Sequence, residues 1–218
     1  MLAVHLIVGL EGMLIGIRRV VQAACWALAI CAAAARAQVS VTTYHYDISR
    51  TGQNTQETIL TPANVNSTQF GKLFTVAVDG DVYAEPLYLP QVGIAGGTHN
   101  VLYVVTEHDS LYAIDADSGT IYWQISLIPN GGTTVNSISD LQGCTDLVPE
   151  IGITGTPVID PSTGTIYFVA VSKVNGSIVQ YLHAIDVVSA AEKFGAPIQI
   201  TATGAGTVQT TSYTLTVS

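Results

Sequence analysis

An all-β fold is what this sequence predicts, and three observations predict it. After the first forty or so residues, no stretch repeats its apolar side chains at the helical period of about 3.6. Short runs rich in Val, Ile, Tyr and Thr alternate with breaks rich in Gly, Asn, Asp and Pro, the pattern of strands and tight turns. Residues 100–123, NVLYVVTEHDSLYAIDADSGTIYW, place three such runs end to end, at 101–106, 110–115 and 120–123. Their breaks, His108-Asp109 and Asp117-Ser118-Gly119, suit hairpins, so the stretch reads as a three-strand meander.

The chain opens differently. Arg18-Arg19 precede an Ala-rich apolar run over 20–35, and Ala35-Arg36-Ala37 supplies a small-residue cleavage site before Gln38. A basic segment, an apolar segment and an A-x-A site in that order predict a helical secretory signal peptide over 1–37 and an exported, periplasmic or extracellular protein. The alternative, a membrane anchor, suffers from a run short of the roughly 20 residues that span a bilayer and made mostly of weakly apolar alanine. No membrane insertion of the mature chain is expected.

Cleavage would leave four basic residues (Arg50, Lys72, Lys173, Lys193) against 15 acidic ones, a net charge of −11. Such a chain repels phosphate backbones and anionic lipid surfaces, which argues against nucleic acid as a partner. Hydrophobic residues at 48% are enough for a sizeable core, and charged residues at 11% leave Gly, Ser and Thr to fill the polar positions. Of three cysteines, Cys25 and Cys31 fall in the leader, so Cys144 stands alone and neither an intrachain disulfide nor a cysteine metal site is expected.

Along the mature chain, 39–46 is β-prone and turns at 47–52, and 58–67 (TILTPANVNS) reads as an ordered loop or a single helical turn. A strand is expected over 70–78, broken at Asp79-Gly80-Asp81, and another over 82–92, where Pro86 demotes it to an edge or a short innermost strand. Residues 93–99 make a glycine-rich turn into the meander, and 124–128 follow it. Residues 129–149 form a long polar loop without periodicity, the kind that covers or serves a site. The apolar run 151–160 contains Pro157, and strands are expected over 165–172 and 178–187.

The chain also resembles itself. Ala84-Glu85-Pro86-Leu87-Tyr88 aligns with Gly155-Thr156-Pro157-Val158-Ile159, residues 101–105 with 165–169, and 111–115 with 182–186. Pro86 and Pro157 lie 71 residues apart, and removing the 129–149 loop leaves a unit within the range of propeller blades, about 40–50 residues. A small twisted sheet that is apolar on both faces must stack on a neighbour, and radial stacking also shields its edges.

Residues 113–123 (AIDADSGTIYW) resemble the tryptophan-docking repeat of quinoprotein alcohol dehydrogenase-like, PQQ-repeat propellers, A-x-D-x-x-T-G-x-x-x-W. Ala113, Asp115, Gly119 and Trp123 carry the match; Ala184 and Asp186 repeat it, with Ala190 for glycine and Phe194 for tryptophan. Arg50-Thr51-Gly52 and 60–65 (LTPANV) look like the lead-in of these proteins. The resemblance covers about residues 44–200 and implies blades over 38–200, with Trp123 wedged between neighbours. It leaves 201–218 as a Thr/Ser-rich β-type tail. Room exists for about two or three four-stranded antiparallel blades, where closed propellers use roughly four to eight. A partial β-propeller is therefore expected, the amino-terminal part of a larger one that uncovered faces would drive to self-associate.

Candidate chemistry is thin. In Glu107-His108-Asp109, His108 is a conceivable base beside a carboxylate, but the triplet sits at a hairpin and a polar turn is the commoner explanation. Asp115, Asp117 and Gly119 have calcium-loop spacing, yet Ile121 and Trp123 cannot supply the further ligands. Asp79, Asp81 and Glu85 read as solvated loop acids rather than a glycosidase pair. The resemblance implies that a quinone enzyme would need a calcium-chelating acid and Asn, a catalytic Asp and often a vicinal disulfide. No such set is found here, so no catalytic, cofactor-binding or metal residue is assigned, and PQQ with Ca²⁺ is expected only in a longer relative. The resulting expectation is an exported non-catalytic scaffold for a protein or glycan partner; the alternative is a quinoprotein oxidoreductase whose catalytic blades lie elsewhere.

Overall fold

Residues 100–123 fold as the predicted meander, with one further strand ahead of it. The computed structural model describes residues 39–143, 145–208 and 211–217, so the predicted leader at 1–37 and Cys144 lie outside the described residues. Strands β1 (Leu87–Ile94), β2 (Gly97–Val105), β3 (Ser110–Asp115) and β4 (Ile121–Ser126) pair antiparallel in chain order to make a four-stranded sheet. β3 matches its predicted run residue for residue, and Pro86 sits just ahead of β1, where its missing N–H costs no ladder bond.

Beyond Ser126 come β5 (Thr133–Asn136), β6 (Glu150–Ile151), β7 (Val158–Asp160), β8 (Thr165–Val174), β9 (Ser177–Asp186) and β10 (Ile198–Gln199), which share a six-stranded sheet. Within it β7, β8, β9 and β10 repeat the antiparallel meander of the first sheet. β11 (Ala202–Val208) and β12 (Thr211–Val217) form a separate hairpin. No helix occurs among the described residues, so the all-β expectation holds.

Three expectations change. Residues 39–46 make only an isolated bridge, Val41 to Tyr88, because His45 and Tyr46 take positive φ of 55° and 72° and end the extension. Residues 70–78 pair with no strand and are mostly exposed; the chain is fastened to the first sheet just after them, where the Asp79 N–H donates to Tyr112 Oη at 3.1 Å. The 129–149 loop contains β5, because β7 pairs only with the first three residues of β8. The far end of that ten-residue strand stays free for β5 at Ser172 and Lys173. The 58–67 segment holds a helical turn, with Val65 N–H donating to Thr61 O at 3.0 Å.

One continuous core joins the two sheets. Leu87, Val101, Tyr103, Val105, Leu111 and Ala113 from the first pack with Ile159, Ile166, Phe168, Ala170 and Ile185 from the second. Tyr103 Oη donates to Val187 O at 3.0 Å across the junction, so this buried phenol is satisfied and burial drives its pKa up. Each fully buried aliphatic side chain here contributes on the order of 2 kcal/mol.

The two sheets stack in the same sense. Across the first sheet Leu87, Tyr103, Ala113 and Trp123 stand in one row of paired positions, and that row faces the second sheet. Their counterparts, Val158, Tyr167 and Ala184, also form one row, but on the far face of the second sheet. The near face instead presents Ile159, Ile166 and Ile185, counterparts of Tyr88, Leu102 and Ile114. A two-fold pair would bury the same row twice; this arrangement buries opposite rows and leaves a face open, with Val158, Val169, Leu182 and Ile198 exposed on it.

The repeat is also visible in its turns. Asp115 Oδ1 accepts from Asp117 N, Ser118 N and Ser118 Oγ, and Asp186 Oδ1 accepts from Val188 N, Ser189 N and Ser189 Oγ. Gly119 N–H donates to Asp115 O at 2.9 Å and Ala190 N–H to Asp186 O at 3.0 Å, with φ of 76° and 60°. The left-handed position suits Gly119 and strains Ala190. Ala190→Gly is therefore expected to stabilise the chain by about 1 kcal/mol, read as a higher urea midpoint at unchanged slope. A lower midpoint would contradict the strain.

Candidate functional site

The densest polar cluster forms where the β2–β3 hairpin meets the second sheet. Thr106 N–H donates to Ser110 O and Asp109 N–H to Thr106 O, closing a tight turn in which Asp109 takes a φ of 52°. The polar turn expected at Glu107-His108-Asp109 is present, but its expected place at the surface needs correction. Glu107 is 1% exposed and Asp109 is fully buried, because the hairpin drives into the second sheet instead of facing water.

Each buried acid bridges the sheets. Glu107 Oε2 accepts from Gly152 N at 2.8 Å and Thr154 Oγ1 at 3.0 Å, while Oε1 has no hydrogen-bond partner. Asp109 Oδ2 accepts from Ser172 Oγ at 2.7 Å, and its Oδ1 is also unpartnered. Burial pushes both carboxyls up, Asp109 to about 7, with the negative charge of its acidic neighbours adding to the effect. His108 stays half-buried; its Nδ1 lies 2.9 Å and 3.1 Å from the two Glu150 oxygens. That hydrogen bond holds the His108 pKa above the ordinary imidazole value.

Asp79 is not a free loop acid either. Its carboxylate accepts from Thr106 Oγ1 at 3.0 Å, Ser110 Oγ at 2.5 Å and Gln124 Nε2 at 3.0 Å, pinning residues 78–81 to the first sheet. Glu85 Oε2 accepts from His45 N–H at 2.8 Å, whereas Asp81 stays exposed. Asp79, Asp81, Glu107 and Glu150 line an open cleft of about 330 Å³ together with Gly80 and Pro149. Its carboxyls suit a positively charged group, but no three His, Cys, Asp or Glu side chains among the described residues converge closely enough to hold a metal ion. The structure makes the cluster a bracket between sheets with an acidic outer rim.

The remaining motif residues are placed as follows. Ala113 is fully buried opposite Trp123, which is half-buried with its ring 6.1 Å from Tyr103. Asp115 and Gly119 make the turn described above; Tyr122 Oη also donates to Asp115 Oδ2, and that bond holds the Asp115 carboxyl far below the usual carboxylate range. Ala184 and Asp186 take the matching places in the second sheet, but Phe194 does not take that of Trp123. It lies in a turn at a φ of 57°, 67% exposed, with Lys193 Nζ 5.4 Å from its ring centre. Sequence reading also passed over His183 and Glu192, which form a close pair in the second sheet. The repeat alignment carried a signal for them, since His183 stands where Tyr112 stands in the first.

Comparison with protein-family models, with curated proteins and with solved structures finds no match to this chain.

Proposed function

We propose that the chain is an exported, non-catalytic scaffold built from β-propeller blades, which binds a protein partner through the open face of its second sheet. One observation carries the reading: the row that the first sheet turns toward its neighbour is turned, in the second sheet, to a far face where Val158, Val169, Leu182 and Ile198 are exposed. Stacking in one sense never completes itself with two sheets, so the face that exposes Val158, Val169, Leu182 and Ile198 calls for a third sheet. The occupant is a β-sheet offering an apolar face like the one that Ile159, Ile166 and Ile185 offer to Tyr103. Tyr167 then stands where Tyr103 stands, with its hydroxyl free to donate to a carbonyl of the newcomer.

The test is hydrodynamic. The chain is expected to self-associate across the micromolar range, and Val169→Lys with Leu182→Lys is expected to return it to a monomer with an unchanged far-ultraviolet spectrum. Sedimentation equilibrium reads both. A wild-type chain that stays a compact, cooperatively unfolding monomer would end this reading.

A further inference from the structure

A second site lies between the sheets, away from the acidic bracket. His183 is buried at 3% exposure, its ring stacked on Phe168 with centres 5.3 Å apart and planes 12° apart. Nδ1 lies 2.5 Å from Glu192 Oε1. A carboxylate only accepts, so Nδ1 carries the hydrogen and, in the neutral ring, Nε2 keeps its lone pair. That Nε2 is buried and has no hydrogen-bond partner. Buried polar atoms are satisfied in the large majority of cases, so an orphaned imidazole acceptor with its tautomer fixed needs an explanation.

Beside it opens a cleft of about 310 Å³. Ile125, Leu127 and Ile128 form one wall and Ile185 and Pro197 another, with His183 and Glu192 the ionisable residues on the lining. The counterpart position shows how such a site is completed. Tyr112 in the first sheet accepts a hydrogen bond from Asp79 N–H, a donor that comes from outside the sheet. His183 has the same place in the second sheet and no such donor.

We propose that this cleft binds a small apolar molecule carrying one hydroxyl group, of the monocyclic phenol class, with a small shift of the His183 ring uncovering the buried Nε2 to accept from that hydroxyl. Glu192, the carboxylate on the lining, is taken up by His183 and leaves a cation no free counter-charge, while Glu192 and the acidic chain together repel an anion. A neutral donor on an apolar body fits both conditions. The volume lies at the small end of the range for ligand sites, roughly 300–1,000 Å³, which suits a single ring. Glu192 is a positioning residue that sets the tautomer, and Phe168 holds the imidazole plane.

The experiment titrates the full chain with p-cresol, toluene and 4-methylanisole and follows the side-chain nitrogen resonances of His183 by NMR. The three probes share a shape and differ in whether they donate, do neither, or only accept. p-Cresol is expected to bind on the order of tenfold more tightly than the other two and to shift Nε2. His183→Phe keeps the stacking on Phe168 and is expected to erase that preference. Should this variant fail to fold, Glu192→Gln at a partly exposed position releases the tautomer, and the preference is expected to shrink there too. Equal binding of toluene and p-cresol overturns the proposal, as does binding of neither, or an unchanged preference in both folded variants.

Discussion

Gly152→Ala is expected to cost the folded state roughly 3 kcal/mol or more, a large share of the stability of a domain this size. A methyl group at Gly152 would lie 2.3 Å from Glu107 O, 2.7 Å from Asp109 Oδ1 and 2.8 Å from Asp109 N. Two of those atoms are backbone, and neither can retreat. Glu107 N–H is tied to Asp81 O at 2.9 Å, Asp109 O accepts Leu127 N–H at 2.7 Å, and Ile153 N–H donates to Thr106 O at 3.2 Å. Relief would require pulling the hairpin out of the second sheet, which breaks the Gly152 N–H bond to Glu107 Oε2 as well. Gly155, three residues on in the same run, provides the control. Nothing lies within 4 Å of a methyl group there, so Gly155→Ala is expected to change stability by less than about 0.5 kcal/mol. Urea unfolding of the two variants side by side checks this, and similar midpoints would refute the bracket.

The contrast between these two glycines shows what the sequence could and could not convey. In the stretch Ile151-Gly152-Ile153-Thr154-Gly155 they look alike, because the demand on Gly152 comes from a hairpin more than forty residues away in the chain. Local alternation and turn chemistry sufficed for β3, for the meander and for the Asp115 and Asp186 turns, where the determining contacts are near neighbours. The same local logic failed at 70–78, where β-prone residues pair with no strand and Phe70 and Leu73 stay exposed. It failed also at Glu107 and Asp109, since a charged hairpin reads as solvated until a second sheet is placed over it. The stacking sense was half legible. The repeat alignment identified counterpart residues, but which row is buried emerged only with the two sheets in register.

Those buried acids lead to an unusual pH dependence. Asp109 sits at about 7 rather than the ordinary 3.8, chiefly through burial, with Ser172 pulling it down and Glu107 and Glu150 pushing it up. The unfolded chain therefore gives up this proton near pH 4, while the folded chain holds it to near neutrality. Between those values the folded state binds more protons than the unfolded one, so stability falls as pH rises and the loss is complete above about pH 7. The displacement corresponds to on the order of 4 kcal/mol, and Glu107, shifted the same way, adds to it. Asp140, Asp160 and Asp186, held low by their hydrogen bonds, act oppositely and withdraw stability only in more acid solution. Maximal stability is thus expected near pH 4, where the two slopes meet. Asp109→Asn removes the ionisation while leaving an oxygen for Ser172 Oγ, so its stability is expected to decline far less between pH 5 and pH 8. Urea midpoints at those two pH values test the point: a wild type that gains stability toward pH 8, or a variant whose decline runs parallel to it, would show that Asp109 does not carry the dependence.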